Sequence, residues 1–258
     1  MNQPPELRES TDRYYTAYYR DTLGIPGWSA LVRLRREEEV QERARRLARL
    51  EALLGADALQ GRVLNVGCGT GGFNAAAAAA GVRVAGVDAG ADAIAICALR
   101  PRVGLGFARA AAESLPFSDG VFDVVHCFSV IEHVASVTAT IREMVRVTRR
   151  GGAIYVHTPN AWSFYEGHYK LLWAPFLPRP LARVYLRLRG RPVAYLATLR
   201  RLTRGAIVRG FTEAGVTELT FYNDDRPREA LGRARFLTGA YYRLSGVAPY
   251  LELVARKT

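Results

Sequence analysis

The chain is poor in the residues that mark extracellular, membrane-spanning or metal-stapled proteins. Its three cysteines, Cys68, Cys97 and Cys127, are too few and too scattered for a disulfide framework or a zinc site, which points to a reducing compartment. The longest strongly apolar stretches, 75–80 and 171–178, fall far short of the ~18–20 residues that a membrane span needs. Residues 1–6 show neither the basic region nor the apolar core of a secretory leader, so a cytoplasmic protein is expected. No unit of 20–50 residues repeats, which excludes solenoids and propellers. Histidine occurs four times and lysine only at Lys170 and Lys257, so 34 of the 36 basic residues are arginine.

What is present is the composition of an ordinary soluble domain: 258 residues, 49% hydrophobic and 23% charged, enough for one generous core with an insertion. The formal net charge of +12 is unevenly spread. Between 167 and 212 there are ten basic residues and no acid, a patch that attracts phosphates, nucleic acid or an anionic membrane surface. The alternative is a set of solvated arginines in a chain whose default basic residue is arginine.

Residues 7–20 carry Tyr14, Tyr15, Tyr18 and Tyr19 at near-helical spacing. Residues 30–54 repeat Leu31, Leu34, Val40, Leu47, Leu50 and Leu54 near a 3.6 period, as in an amphipathic helix. The centre alternates short apolar runs at 62–66, 82–87, 103–108, 122–128 and 153–157 with helical segments at 71–80, 92–99 and 136–148. Continuously apolar strands separated by helices predict an α/β, doubly wound parallel sheet buried on both faces. Residues 203–214 predict a further helix capped by Thr203, and 216–222 and 250–255 two closing strands. The expected organisation is a helical cap at 1–58, a core at 59–160, a basic, aromatic-rich insertion at 161–202 and the rest of the core sheet at 203–258.

The densest signal is Val63–Phe73, where an apolar strand runs into Gly67, Gly69, Gly71 and Gly72 and then into a helix. Such a turn lets backbone N–H groups and a helix N-terminus approach a ligand where side chains would collide. Asp88 follows at the end of the next strand, where a carboxylate can accept both hydroxyls of a ribose. The glycines satisfy two nucleoside-binding templates at once, G-x-G-x-x-G and G-x-G-x-G, and do not choose between them.

The following segments do choose. Ala111–Phe117, then Phe122–Val125, Ser129–Val134, Arg150–Gly152 and Thr158–Asn160 occur in order and at the spacing of the class I S-adenosylmethionine-dependent methyltransferases, which residues 60–160 closely resemble. The resemblance implies a Rossmann-like seven-stranded sheet with an antiparallel last strand, which 250–255 would supply. It implies S-adenosylmethionine as cofactor, held by Asn65, Gly67, Cys68, Gly69, Gly71 and Phe73 of the loop, by Asp88 and Ala89, by Ala112, Glu113 and Ser114, and by Phe128 and Ser129. Two positions depart from the family pattern: Asn65 and Ala111 stand where acids are usual, so a contact to the methionine end becomes neutral and adenine recognition falls to backbone groups.

Methylating a hydroxyl needs an aligned acceptor and a base. His133, His157 and His168 lie where strand ends face the cofactor, whereas His126 lies inside a strand and reads as a buried structural residue. His133 with Glu132, and His157, are the catalytic candidates. The ubiquinone-biosynthesis O-methyltransferases carry a similar segment, Glu-x-x-Glu-His, proposed to hold a divalent metal. Here Ser129 replaces the first Glu, and a lone carboxylate with an imidazole suits a hard cation poorly, so no metal is expected. Tyr14, Tyr15, Tyr18, Trp162, His168 and Tyr169 are candidates for contacting the acceptor.

In the insertion, Leu181, Val184, Tyr185 and Leu188 fall at i, i+3, i+4 and i+7 beside Arg183, Arg187 and Arg191. This predicts a cationic amphipathic helix, a lid over a small amphiphilic or phosphorylated acceptor, with peripheral membrane contact through 171–191 as an option. Nucleic acid is not expected, because the aromatics sit among leucines rather than on a stacking platform. The function expected is transfer of a methyl group to a small acceptor, foremost to oxygen in quinone, saccharide or secondary-metabolite biosynthesis. The rivals are C- or N-methylation of a phosphate-bearing or lipid-like acceptor, and a non-catalytic cofactor-binding protein.

Overall fold

The structure, a computed structural model, describes residues 4–100, 104–222 and 234–258. The chain opens with α1 (Pro5–Thr16), which loosens into a π-turn over Ala17–Thr22, and α2 (Trp28–Leu54). The core follows: β1 (Arg62–Val66), α3 (Gly72–Ala79), β2 (Arg83–Asp88), α4 (Ala91–Ala98), β3 (Gly106–Arg109), β4 (Phe122–Phe128), α5 (Val137–Val147) and β5 (Thr148–Pro159). The insertion contains a two-stranded ribbon, β6 (Tyr165–Glu166) and β7 (Leu171–Leu172), and α6 (Arg179–Leu188). The chain closes with α7 (Arg204–Glu213), β8 (Glu218–Tyr222), α8 (Ala234–Ser245) and β9 (Tyr250–Arg256).

Seven strands form one sheet in the order β3-β2-β1-β4-β5-β9-β8. The first five pair in parallel, and β9 runs antiparallel between β5 and β8. The expected mixed α/β sheet is therefore present, with its reversed strand at the expected residues. The third strand differs: it starts at Gly106, after Gly104, whose φ of +72° is a turn conformation, and residue 103 lies outside the described residues. Helix α8 was not expected. The sequence reading placed no element between 222 and 250.

Both faces of the sheet are covered, as continuously apolar strands require. On one face Ile141, Met144, Ile207 and Phe211 of α5 and α7 pack on Leu64, Val125, Ile154 and Leu253. On the other, Leu47 and Leu50 of α2 with Phe73 and Ala77 of α3 pack on Val63, Val84, Val124 and Tyr155. A buried ion pair fastens α2 there: Arg49 donates to both oxygens of Glu252 at 2.9 and 2.7 Å, and Tyr155 donates to the same carboxylate at 3.0 Å. The side chain of Val40, expected in the α2 stripe, lies outside the described residues.

A third core joins the N-terminal cap to the insertion: Tyr19, Leu23, Ile25 and Val32 pack with Tyr169, Trp173, Leu186 and Leu199. Cap and insertion thus form one structure over the C-terminal ends of the strands. The stripe expected on α6 splits. Ala182 and Leu186 face inward, Tyr185 is half-buried with its hydroxyl on the Leu172 carbonyl, and Leu181, Val184 and Leu188 face solvent. Packing of Leu186 in the third core fixes the inward side, which leaves the regular i, i+3, i+7 leucine-valine row outside.

Candidate active site

A cavity of about 570 Å3 opens at the C-terminal ends of β1, β4 and β5, beneath Tyr15, Tyr18 and Tyr19 of the cap. Its floor is the turn between β1 and α3. Gly67, Gly69 and Gly71 all have positive φ (69°, 53° and 75°), a conformation that costs an L-residue with a side chain roughly 1–2 kcal/mol. Their surroundings differ. A Cβ on Gly67 would sit 2.0 Å from Val130 Cγ2, and one on Gly71 2.8 Å from Cys97 Sγ, whereas one on Gly69 meets nothing within 4 Å. Gly67 and Gly71 are packed from behind; Gly69 presents its bare backbone to open space. That cradle, closed behind and open in front, fits a ligand that approaches the main chain.

Asp88, at the end of β2, accepts the Gly69 N–H at 2.9 Å and the Gly90 N–H at 2.8 Å, so its carboxylate holds the turn while both oxygens retain lone pairs for a further donor. Tyr14 of α1 lies over this end. Burial, with the Asp88 and Asp92 carboxylates adding, pushes its phenol up to about 12. Asn65 is tied into a buried trio: its amide donates to Asn74 Oδ1 at 2.7 Å, and its oxygen pairs with His126 Nδ1 at 2.8 Å. With that amide orientation His126 carries its proton on Nδ1, and its Nε2, buried and without a protein partner, is an acceptor. His126 is buried as expected, stacked 4.4 Å from Phe73, but it also lines the cavity, a role the sequence reading did not assign. Burial drives its pKa down to about 3, so it is neutral.

The opposite wall carries His133 and His168, and the neighbouring Glu132 is buried beside a smaller cavity that His168 also lines. Glu132, 1% exposed, accepts from Thr158 Oγ1 at 2.9 Å through one oxygen, while the other has no hydrogen-bond partner. That second oxygen lies 3.9 Å from His133 Nε2 and 3.9 Å from His168 Nε2. Burial raises the pKa of Glu132. His133 is pushed down to about 4, first by burial and then by neighbouring His168. For His168 burial acts the same way, but a 2.7 Å hydrogen bond from Nδ1 to Glu166 and the carboxylates of Glu166 and Glu132 outweigh it, and its pKa rises. Glu166, in the β6–β7 ribbon, also accepts the Tyr169 N–H at 2.7 Å, which fixes it in place. The ligand atoms of Glu132, His133 and His168 lie within 4.8 Å of one another, a grouping able to hold a metal ion.

The structure gathers His133, His157, His168, Asn65, Gly67, Cys68, Gly69, Phe73, Phe128, Ser129, Tyr15 and Tyr18 around this cavity. His157 is buried between Phe128 and Tyr250, stacked at 4.2 and 4.9 Å. Ser129 takes a φ of 54°, unusual for a residue with a side chain, and its N–H bonds the His157 carbonyl. Other candidates are placed elsewhere. Tyr169 is fully buried in the third core with its hydroxyl on the Pro192 carbonyl, because the ribbon turns it away from the cavity. Trp162 is exposed, its ring 4.0 Å from Phe176. Glu113 is spent on the backbone N–H groups of Ala135 and Ser136 before α5, at 2.6 and 3.2 Å. Ala89 and Ser114 are exposed beside the cradle, and Ala112 is buried behind it. Arg35 and Arg46, which line the cavity, and Glu166, which holds His168 from behind, were missed: charged residues on a helix and in a loop look like solvated surface until cap and insertion fold over the sheet. Arg46 places its guanidinium 3.9 Å over the Phe128 ring.

Residues 64–156 match the sequence family of the methyltransferase domain. The chain is similar over this stretch to methyltransferase domains. It is 33% identical over 108 residues to the ubiquinone biosynthesis O-methyltransferase of Sodalis glossinidius, and 38% identical over 125 residues to the demethylmenaquinone methyltransferase of Beutenbergia cavernae. Those stretches are 39% and 47% of this chain, and they span 43% and 51%, about half, of the relatives' own lengths. Among solved structures, an S-adenosylmethionine-dependent methyltransferase from Thermotoga maritima, described as a possible histamine N-methyltransferase, has a TM-score of 0.56 at 20% identity, covering 97% of this chain and 99% of that one. The likeness in fold thus extends over nearly the whole chain, beyond residues 64–156.

Proposed function

We propose that the protein is an S-adenosylmethionine-dependent methyltransferase that methylates an oxygen of a small, amphiphilic acceptor. The observation that carries this reading is the facing of two walls across one cavity: a backbone cradle tied to Asp88, and a histidine whose far nitrogen is held by a carboxylate. S-adenosylmethionine, when bound, supplies an electrophilic methyl group. The cradle of Gly67, Gly69 and Gly72 leaves backbone to receive it, Asp88 provides acceptors for a ribose, and His126 Nε2 with Asn65 offers a neutral polar surface in place of the usual acid. Among the distant relatives, the ubiquinone biosynthesis O-methyltransferases support, by their name, an oxygen acceptor.

His168 is the base in this reading. Nδ1 donates to Glu166, so in the neutral ring Nε2 carries the lone pair, 3.9 Å from Glu132. With S-adenosylmethionine bound, the methyl would pass from the sulfonium sulfur to the acceptor oxygen, leaving S-adenosylhomocysteine, and His168 Nε2 would take the hydroxyl proton, its imidazolium lying between the Glu166 and Glu132 carboxylates. His133, with its pKa pushed down to about 4, is the weaker base and serves as a neutral polar contact. Tyr15, Tyr18 and Tyr195 close the site from water. Tyr18 and Tyr195 hydroxyls pair at 3.1 Å across cap and insertion.

The test is production of S-adenosylhomocysteine from a panel of catechols, hydroxyquinones and their alkylated forms. Turnover on a phenolic acceptor that falls at least ~100-fold in His168→Asn, with unchanged S-adenosylmethionine affinity, is the expected result. Turnover that His168→Asn leaves intact would remove the base assignment.

A further inference from the structure

The outer side of α6 is built for contact, and none of the cores of the described residues covers it. Leu181, Val184 and Leu188, at i, i+3 and i+7, are 57%, 50% and 80% exposed. A soluble capping helix with its inward face already filled by Ala182 and Leu186 gains nothing from a second apolar row. Arg183 and Arg187 flank that row on the same helix and Arg189 follows its end; all three are exposed, and among the described residues none is in an ion pair with an acid. The apolar row continues backward in the chain to Phe176, 38% exposed.

We infer that α6 and the loop before it dock on an anionic phospholipid bilayer. The pattern is that of an interfacial helix: a short apolar row that enters the acyl boundary, with arginines beside it at headgroup level. Charge complementarity decides the partner, since the segment 167–212 holds ten basic residues and no acid and the chain carries +12. A nucleic acid would use the arginines but leave the leucines in water. An acidic protein partner would pair with the arginines and leave the exposed leucine-valine row unexplained. Among the described residues no helix is long and apolar enough to cross a membrane, so the contact is peripheral. Docking stands apart from methyl transfer, and its test needs no turnover. It adds to the proposed function only where that reading holds. The inner residue Ala182 lines a small cavity of about 70 Å3 that Glu132 and His168 also line, so the inner side of α6 and the candidate base share one cavity.

Co-sedimentation of the full chain with phosphatidylcholine vesicles, with and without phosphatidylglycerol, tests the inference. Binding is expected only with phosphatidylglycerol and is expected to weaken as salt rises. Arg183→Gln with Arg187→Gln is expected to weaken it roughly thirtyfold, and Leu181→Glu with Leu188→Glu to abolish it. These side chains are exposed, so thermal melts are expected to stay unchanged. Leu188→Glu alone is the fallback if the double variant melts early, and Leu105→Glu, on another surface, is expected to leave binding intact. No binding to anionic vesicles overturns the inference. So does binding that the leucine variants leave unchanged, which would be surface charge alone. Light scattering that shows a dimer dissolved by Leu188→Glu would assign the row to a second copy and overturn it as well.

Discussion

At Gly67 and Gly69 the absence of a side chain matters for different reasons. Gly67 has Val130 behind it at 2.0 Å from a Cβ, in addition to its positive φ. Gly67→Ala is therefore expected to destabilise by about 3 kcal/mol or more, lowering Tm by roughly 6–12 °C in a calorimetric melt. Gly69→Ala meets no atom and keeps only the backbone strain, so its melt is expected to drop by less than half as much, while its affinity for S-adenosylhomocysteine falls at least ~10-fold. Equal melts for the two would mean that Gly69 is packed like Gly67. The His168–Glu166 pair makes a second prediction. A base must be neutral, and the pKa of His168 is raised, so kcat/KM is expected to be low at pH 6 and to climb as pH rises past 6.5. Glu166→Gln removes the carboxylate that raises it, so the limb is expected to move to lower pH while kcat on the plateau falls. A limb that stays in place would assign it to another group. His168 was legible from its position after the fifth strand, but Glu166 was not. Glu166, two residues before it on the same loop, gives no sign in the sequence that its carboxylate holds the histidine until the ribbon turns both side chains inward.

Among the elements, the core strands and helices announce themselves through unbroken apolar runs and caps. Ser136 accepts the Ala139 N–H at 3.2 Å and Thr203 the Ala206 N–H at 3.2 Å, which start α5 and α7 where the sequence placed them. Elements that depend on tertiary neighbours were not legible. The periodic row of α6 names an amphipathic helix but not its inward side, because Ala182 and Leu186 are as apolar as the outer row. Glu113 shows how local context redirects a motif residue. Its carboxylate satisfies the N–H groups of Ala135 and Ser136, among the donors left unpaired before the first turn of α5. Glu113→Ala is expected to cost about 1–2 kcal/mol in urea unfolding while cofactor affinity changes less than twofold. A tenfold loss of affinity with no loss of stability would place its side chain on the ligand.

On the scale of the whole molecule, a core similar to methyltransferase domains is joined to a cap and an insertion that share their own hydrophobic core, and the catalytic candidates lie at the seam. That arrangement bears on metal chemistry. His168 Nε2 cannot both ligate an ion and take a proton, because it has one lone pair. Dialysis against a chelator is thus expected to leave turnover unchanged; activity lost and then restored by a divalent ion would mean that Glu132, His133 and His168 hold a metal instead. The central claim, that the glycine cradle and Asp88 hold S-adenosylmethionine, is tested most directly by calorimetric titration. S-adenosylmethionine and S-adenosylhomocysteine are expected to bind in the micromolar range and NAD not at all, with affinity falling roughly 10–100-fold in Asp88→Ala as a charged hydrogen bond is lost. Absence of binding to either sulfur nucleoside, or affinity that Asp88→Ala leaves unchanged, would contradict it.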